Sequence, residues 1–276
     1  MGLIGWLVFF FLLALFFYVL SRVSQQARYT IKHAIYFAVV FIISCCVILD
    51  AILHMKRSHE NAQVLKRVTK LLRVKRLLGI QYSIEGEEIL DDCESPRIYI
   101  SNHQSSLDML GISLIWPRRT VLMAKRSLKY VPVFGLSAWL VETIFIDRVK
   151  KEKAKKVLDK TVKKIKDERL SLWMFPEGTR NHKGSMLPFR KGAFHLALDA
   201  QIPIVPIVFS PYTFYDKKVW KFKDGSVKLT VMDPISTEGM TSEDIDDLMS
   251  SVRDKMLGVY SRGLVPSDGR SFTRIS

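Results

Sequence analysis

Cysteine is scarce in this 276-residue chain. Cys45 and Cys46 sit side by side in an apolar run and Cys93 stands alone, so neither a disulfide framework nor a zinc-ligand spacing is available. That pattern suits a reduced, cytosol-facing protein. Acidic residues are also in deficit, with 27 Asp+Glu against 42 Lys+Arg and a net charge of +15. Such an excess calls for an anionic partner, whether nucleic acid, anionic lipid or a phosphorylated substrate. No G-x-S-x-G turn occurs, which disfavours a serine hydrolase, and the glycine loops of nucleotide-binding folds are missing. Internal repeats and low-complexity tracts are absent as well. The length fits one catalytic domain with an appendage and is too short for two ordinary enzymes.

What is abundant is apolar sequence at the N-terminal end. Residues 2–20 carry no charge and are rich in Leu and Phe, and residues 34–53 are interrupted only by Asp50. Each run is long enough to cross a bilayer as a helix. A cleaved signal peptide is the poorer reading of the first run, because no basic stretch precedes it and no small-x-small site follows. The connector holds Arg22, Arg28 and Lys32, whereas Lys56, Arg57, Lys66, Arg67, Lys70, Arg73, Lys75 and Arg76 follow the second run. The positive-inside bias therefore predicts that residue 54 onward is cytosolic, whether the two helices span or dip into one leaflet as a hairpin.

Between residues 61 and 79, Val64, Leu65, Val68, Leu71, Leu72 and Leu78 recur at helical spacing opposite basic residues. This predicts a basic amphipathic helix, lying on an anionic membrane surface or packed on the core with a solvated charged face. From Arg97 onward, short apolar runs at 98–100, 121–123, 143–146, 172–175, 204–209 and 227–231 alternate with helical stretches, of which 150–169 reads as a crossover helix. The predicted fold class is α/β: a mixed, largely parallel sheet buried between helices and preceded by a membrane-embedded helical hairpin. The expected division is an anchor over 1–55, a basic surface segment over 56–90, a catalytic domain over 91–262 and a loose polar tail over 263–276.

Chemistry-bearing residues gather where apolar runs end. After the first run of this region come Ser101, Asn102, His103, Gln104, Ser105, Ser106, Leu107 and Asp108. Positions five apart lie about 140° apart on an ideal helix, so His103 and Asp108 meet only if the histidine is on the loop and the aspartate opens the following helix. A histidine held by a carboxylate is a general base able to activate a hydroxyl. Of the six histidines only His103 has an acid five residues on; the others are followed by Ala38, His59, Val64, Leu187 and Ala200. The run Phe175, Pro176, Glu177, Gly178, Thr179, Arg180 forms a second strand-end turn. Arg180 suits bidentate binding of a phosphate, and Glu177 suits holding that arginine or accepting from a hydroxyl. Lys125 and Arg148 follow two further apolar runs and could meet a phosphate or be plain surface charges.

The order and spacing of these blocks resemble the membrane glycerolipid acyltransferases, whose hallmarks are N-H-x4-D, F-I-x-R (here Phe145, Ile146, Asp147, Arg148), F-P-E-G-T-R and a proline-containing apolar strand (here Ile202 to Ile207). The resemblance runs from about Arg97 to Ser210 and is strongest to the animal 1-acylglycerol-3-phosphate branch, alpha type. It implies that His103 is the catalytic base and Asp108 its partner. It also implies that Lys125, Arg148, Glu177, Gly178, Thr179 and Arg180 surround the acceptor's glycerol phosphate. The implied reaction moves an acyl group from acyl-CoA, a co-substrate, to the sn-2 hydroxyl of lysophosphatidic acid to give phosphatidic acid, with no cofactor, metal or acyl-enzyme. The implied partners are the bilayer and these two substrates, not nucleic acid, and the implied location is the endoplasmic reticulum membrane. A sister enzyme acting on glycerol-3-phosphate or another lysophospholipid is the nearest alternative, and a non-catalytic anionic-lipid binder is the one from another class. Acyl-chain preference and oligomeric state are not legible.

Overall fold

The computed structural model describes residues 2–90, 95–147 and 151–263. Arg148, Cys93 and the tail from residue 264 lie outside them.

Two helices open the chain, α1 (Leu3–Val23) and α2 (Gln25–Leu53). Ser24 separates them and caps α2, its Oγ accepting from the Ala27 N–H at 3.2 Å. Both are long and apolar enough to cross a membrane, yet they differ: α1 is bare along its whole apolar window, while α2 buries a stripe of Tyr36, Val39, Ile43, Val47 and Ala51. Steps of three and four put that stripe on one face. The opposite face, including Phe37, Phe41, Leu49 and Ile52, stays exposed. Lys32 ties the near end of α2 to the body, donating to the Leu78 carbonyl at 2.7 Å and to Asp224 at 2.6 Å.

The basic segment that follows is two helices rather than one, α3 (Gln63–Leu71) and α4 (Val74–Leu78). Arg73 breaks the run by adopting φ 46°, a left-handed conformation that a continuous helix cannot contain. Val64, Leu65, Val68 and Leu72 pack on the core, Val74 and Leu78 are buried, and Leu71 is exposed. The apolar face thus serves core packing, while Arg67 and Lys70 remain in the open.

The remaining elements in chain order are β1 (Ile80–Glu85), β2 (Ile98–Ser101), α5 (Asp108–Ile115), β3 (Thr120–Lys125), α6 (Phe134–Leu140), β4 (Ile144–Ile146), α7 (Lys151–Glu168), β5 (Ser171–Met174), α8 (Gly192–Ala200), β6 (Ile204–Phe209), β7 (Tyr215–Asp216), β8 (Lys221–Phe222), β9 (Gly225–Val231) and α9 (Ile245–Arg262). Seven strands form one sheet in the order β1-β9-β6-β2-β5-β3-β4, parallel throughout except where β6 meets β9. The expected mixed, largely parallel sheet is present. It also takes in β1, which pairs with β9 in register from Ile80 opposite Gly225 to Glu85 opposite Thr230. The compositional boundary at residue 90 therefore falls after a strand of the sheet rather than before it.

Alternate side chains of the central strands feed two cores. Tyr99, Leu122, Trp173, Val205 and Ile207 meet α2 to α5, and Ile98, Ile100, Val121, Leu172 and Val208 meet α7 to α9. Burial on both faces explains why these strands read as unbroken apolar runs. The chain leaves β2 through α5 on one face and β5 through α8 on the other, so the crevice beyond the carboxyl ends of β2 and β5 is a topological switch point, where ligands of open α/β sheets bind.

Candidate active site

The switch-point crevice holds both motif turns. His103 lies on the loop after β2, and Asp108 is the first residue of α5. The geometry demanded by the five-residue spacing is met: His103 Nδ1 stands 2.7 Å from Asp108 Oδ2. The same oxygen accepts the Gln104 and Ser105 N–H groups at 2.8 and 3.0 Å. Asp108 is fully buried, and with its charge met by three donors on one oxygen it fixes the imidazole with Nδ1 as the proton-bearing nitrogen. The His103 ring stacks on Phe175 with centroids 3.8 Å apart, and its Nε2 has no protein partner among the described residues. An oriented, partly exposed histidine with Nε2 left open has the geometry a general base needs.

Asp108 Oδ1 is buried without a hydrogen bond, and so are the hydroxyls of Tyr82 and Tyr212. Burial, and secondly the Asp108 charge, raises the proton affinity of both phenols well above the ordinary tyrosine value. They stay neutral, so neither phenol sets a second negative charge against the buried carboxylate behind the histidine.

Glu177 occupies a place the sequence did not indicate. It is 3% exposed and touches neither Arg180 nor open space. Its Oε1 accepts the His103 N–H at 2.7 Å, and its Oε2 accepts the Leu187 N–H at 2.9 Å. Burial raises its carboxyl above the usual range, opposed by these two backbone donors. Glu177 thus braces the histidine loop against the turn after β5. The Asn181 N–H completes this brace, donating to the His103 carbonyl at 2.7 Å. Glu177→Ala is expected to leave both donors unpaired and to lower stability by about 2–4 kcal/mol. Glu177→Gln, which keeps one acceptor oxygen, should lose roughly half of that. Thermal unfolding of the detergent-solubilised protein would check the ranking.

Thr179 and Arg180 are exposed, and Arg180 makes no ion pair among the described residues, leaving its guanidinium available to an anion. Gly178 turns the chain at φ +72°, and a Cβ there would come within 2.7 Å of Arg190 Nε. A side chain at that position would press on the arginine and strain the turn. Lys125 is exposed at the carboxyl end of β3, on the same sheet edge as His103 and Arg180. Arg148, assigned with them, falls outside the described residues.

Several contributors carried no assignment in the sequence reading. Asn102 pairs with both backbone groups of Phe209, at 3.0 and 2.8 Å. Gln104 donates to the Ser210 carbonyl at 2.9 Å and accepts from the Tyr212 N–H at 3.2 Å. They lock the histidine loop to the end of β6, and their place inside the N-H-x4-D block was the available signal. Tyr36 gave none: from within α2 its hydroxyl donates to the Ser106 carbonyl at 2.7 Å, between His103 and Asp108 in the chain.

For a metal, the one candidate group among the described residues is His59, Glu142 and Glu168. Lys164 Nζ already stands 3.3 Å from Glu142 and 3.4 Å from Glu168, so these carboxylates are neutralised by an ammonium.

Comparison with known proteins identifies the family. The acyltransferase family model matches residues 81–210. Human 1-acyl-sn-glycerol-3-phosphate acyltransferase alpha is 41% identical over 253 residues, covering 90% of this chain and 86% of that protein. The human beta protein is 35% identical over 239 residues, covering 86% of this chain and 85% of its own. Among solved structures, the crystal structure of PlsC, the 1-acyl-sn-glycerophosphate acyltransferase of Thermotoga maritima, superimposes with a TM-score of 0.70 at 23% identity, covering 91% of this chain and 100% of that one, which shows a shared fold. Relatedness that covers about 90% of the chain, and not the motif blocks alone, places it in the 1-acyl-sn-glycerol-3-phosphate acyltransferase family.

Proposed function

We propose that this chain transfers an acyl group from acyl-CoA to the sn-2 hydroxyl of 1-acyl-sn-glycerol-3-phosphate, forming phosphatidic acid, with His103 as general base. The observation that carries the reading is the 2.7 Å pair of His103 with a fully buried Asp108, its other nitrogen free at the sheet edge that also bears Lys125 and Arg180. His103 Nε2 removes the hydroxyl proton as the oxygen bonds to the thioester carbon. The tetrahedral intermediate then collapses, the carbon–sulfur bond breaks, and the CoA thiolate takes the proton from the imidazolium. Asp108 stabilises that imidazolium without taking its proton. No acyl-enzyme, metal or cofactor enters these steps. Arg180, Lys125 and Arg148 would hold the acceptor's phosphate, and Gly178 and Thr179 would shape the turn that presents Arg180. A narrow apolar cavity lined by Ile43, Met109, Leu110, Phe134 and Ala138 adjoins the helix that begins at Asp108 and is suited to hydrocarbon.

The proposed setting is the endoplasmic reticulum membrane with the catalytic domain on the cytosolic side, in keeping with the basic residues that follow α2. Tyr36 lies part-way along α2 and is bonded to the catalytic loop. If α2 crossed the bilayer upright, that polar loop would sit within the hydrocarbon. A hairpin dipping into one leaflet instead keeps loop and acceptor at the same interface.

The test is CoA release by detergent-solubilised protein given oleoyl-CoA with, in turn, lysophosphatidic acid, glycerol-3-phosphate and lysophosphatidylcholine, the lipid product being identified by mass spectrometry. Preference for lysophosphatidic acid is expected, and preference for either rival would overturn the acceptor assignment. In the same assay Arg180→Ala should raise KM for lysophosphatidic acid about 10–100-fold, the loss of one charge-assisted phosphate contact, with a smaller change in kcat.

A further inference from the structure

Next to α2 the molecule exposes a second apolar feature that neither core nor catalytic site accounts for. After β3 the chain makes a short 3-10 turn (Arg126–Tyr130) and enters α6. α6 packs one face against α2, Phe134, Ser137, Ala138 and Val141 sharing a cavity wall with Val40, Ile43, Ser44 and Val47. Its other face and the preceding turn are bare: Tyr130 is 68% exposed, Val131 43%, Leu136 49% and Trp139 38%. Single exposed apolar residues need no explanation, but four large ones within ten positions, on one turn and helix, do.

The backbone is bent to present them. Val133 holds φ 61° and ψ −56°, and the Phe134 N–H bonds the Pro132 carbonyl at 2.6 Å. This is a γ-turn of the strained, positive-φ kind, at a β-branched residue that disfavours it. It is held by the Gly135 N–H on the Val131 carbonyl at 2.7 Å, and Gly135 is required because a Cβ there would stand 2.1 Å from the Lys129 carbonyl oxygen. The residues just before this turn, Tyr130 to Pro132, are all exposed.

Cations flank the apolar residues. Arg126 and Lys129 are exposed on the turn. Arg57, just past α2, lies over the Trp139 ring at 4.6 Å and donates to its carbonyl at 2.9 Å. The Ser58 N–H bonds the Leu140 carbonyl at 3.1 Å, so the end of α6 is joined to the end of the apolar hairpin. A tyrosine, a tryptophan, aliphatic side chains and basic residues together have the composition of a segment resting at the boundary of headgroups and hydrocarbon.

We propose that residues 130–133 and the outer face of α6 form a third bilayer contact beside the α1–α2 hairpin, with Val131 and Leu136 in the acyl-chain region and Arg57, Arg126 and Lys129 at lipid phosphates. The occupant is lipid because this surface continues directly from α2, whose own exposed face is apolar, and because its rim is cationic. The proposal rests on reading α1 and α2 as the membrane anchor.

The experiment uses the full-length chain with Cys45, Cys46 and Cys93 replaced by serine and one NBD-labelled cysteine at a time, from Leu136→Cys, Phe10→Cys in α1, or Lys166→Cys on α7. Vesicles of phosphatidylcholine and phosphatidylserine carry nitroxide on their acyl chains. The label at 136 should shift to shorter wavelength and be quenched about twofold or more, like that at 10, while the label at 166 stays unquenched. Quenching at 10 but not at 136 would overturn the third contact and leave the anchor standing. A blue shift at 136 without quenching would assign the surface to a second copy or another protein, and absence of quenching at both 10 and 136 would remove the anchor reading as well. Leu136→Glu should slow turnover of vesicle-borne acceptor about tenfold and leave the rate in detergent micelles unchanged. An equal fall in both media would count against a lipid contact.

Discussion

His103→Ala is expected to lower kcat by about 10²–10⁴-fold, the usual contribution of a positioned general base. The loss should fall on kcat more than on KM, since in the proposed reaction His103 would meet the reacting hydroxyl while the cationic groups of the sheet edge would hold the phosphate. Folding should be little affected. The imidazole is partly exposed, stacked on Phe175 and paired with Asp108, while the loop itself is braced through backbone groups that alanine retains: the 103 N–H on Glu177 and the 103 carbonyl accepting from Asn181. A small residual rate is expected, because substrate positioning survives the substitution. Steady-state kinetics of CoA release in both proteins would measure it, and unchanged kcat would remove His103 from the mechanism.

Asp108→Ala should cost about 10³–10⁴-fold in kcat, comparable to removing the carboxylate of a Ser-His-Asp triad, and should also destabilise the loop. Asp108→Asn is the informative comparison. In triads the amide turns the imidazole into the wrong tautomer. Here the three donors converge on one oxygen, Oδ2, so an asparagine oxygen in that position keeps all three bonds and directs its NH2 to the side where Oδ1 has no partner. Only the charge that stabilises the imidazolium is lost. The asparagine variant is therefore expected to retain at least tenfold more activity than the alanine variant and near-native thermal stability. Equal kcat in the two would mean that the charge, not the tautomer, is what Asp108 controls.

The histidine–aspartate pair was legible because everything that makes it is local: an apolar strand, a short loop and a helix whose first residue is the acid. The sheet was legible for a similar reason, since strands buried on both faces are continuous apolar runs. β1 escaped because only one of its faces is well buried and its partner β9 lies far along the chain. The break between α3 and α4 escaped because the apolar spacing continues across Arg73 and nothing in the sequence marks that residue as left-handed. Glu177 was read as facing a ligand because burial of a turn carboxylate depends on which backbone N–H groups the fold brings to it, here from His103 and Leu187. Tyr36 was invisible for the same cause, one hydroxyl in an apolar run whose acceptor is 70 residues away.

The asymmetry between the two N-terminal helices bears on how this enzyme can be handled. Truncation up to Ser24 removes a helix that buries nothing and leaves the second helix its cap. Truncation through residue 55 pulls Tyr36, Val39, Ile43, Val47 and Ala51 out of the core and cuts the strut to Ser106. A water-soluble version is thus better sought by recolouring the outer surface of the second helix at Phe37, Phe41, Leu49 and Ile52 with polar residues than by shortening the chain, because the other side of that helix belongs to the core and props the histidine loop.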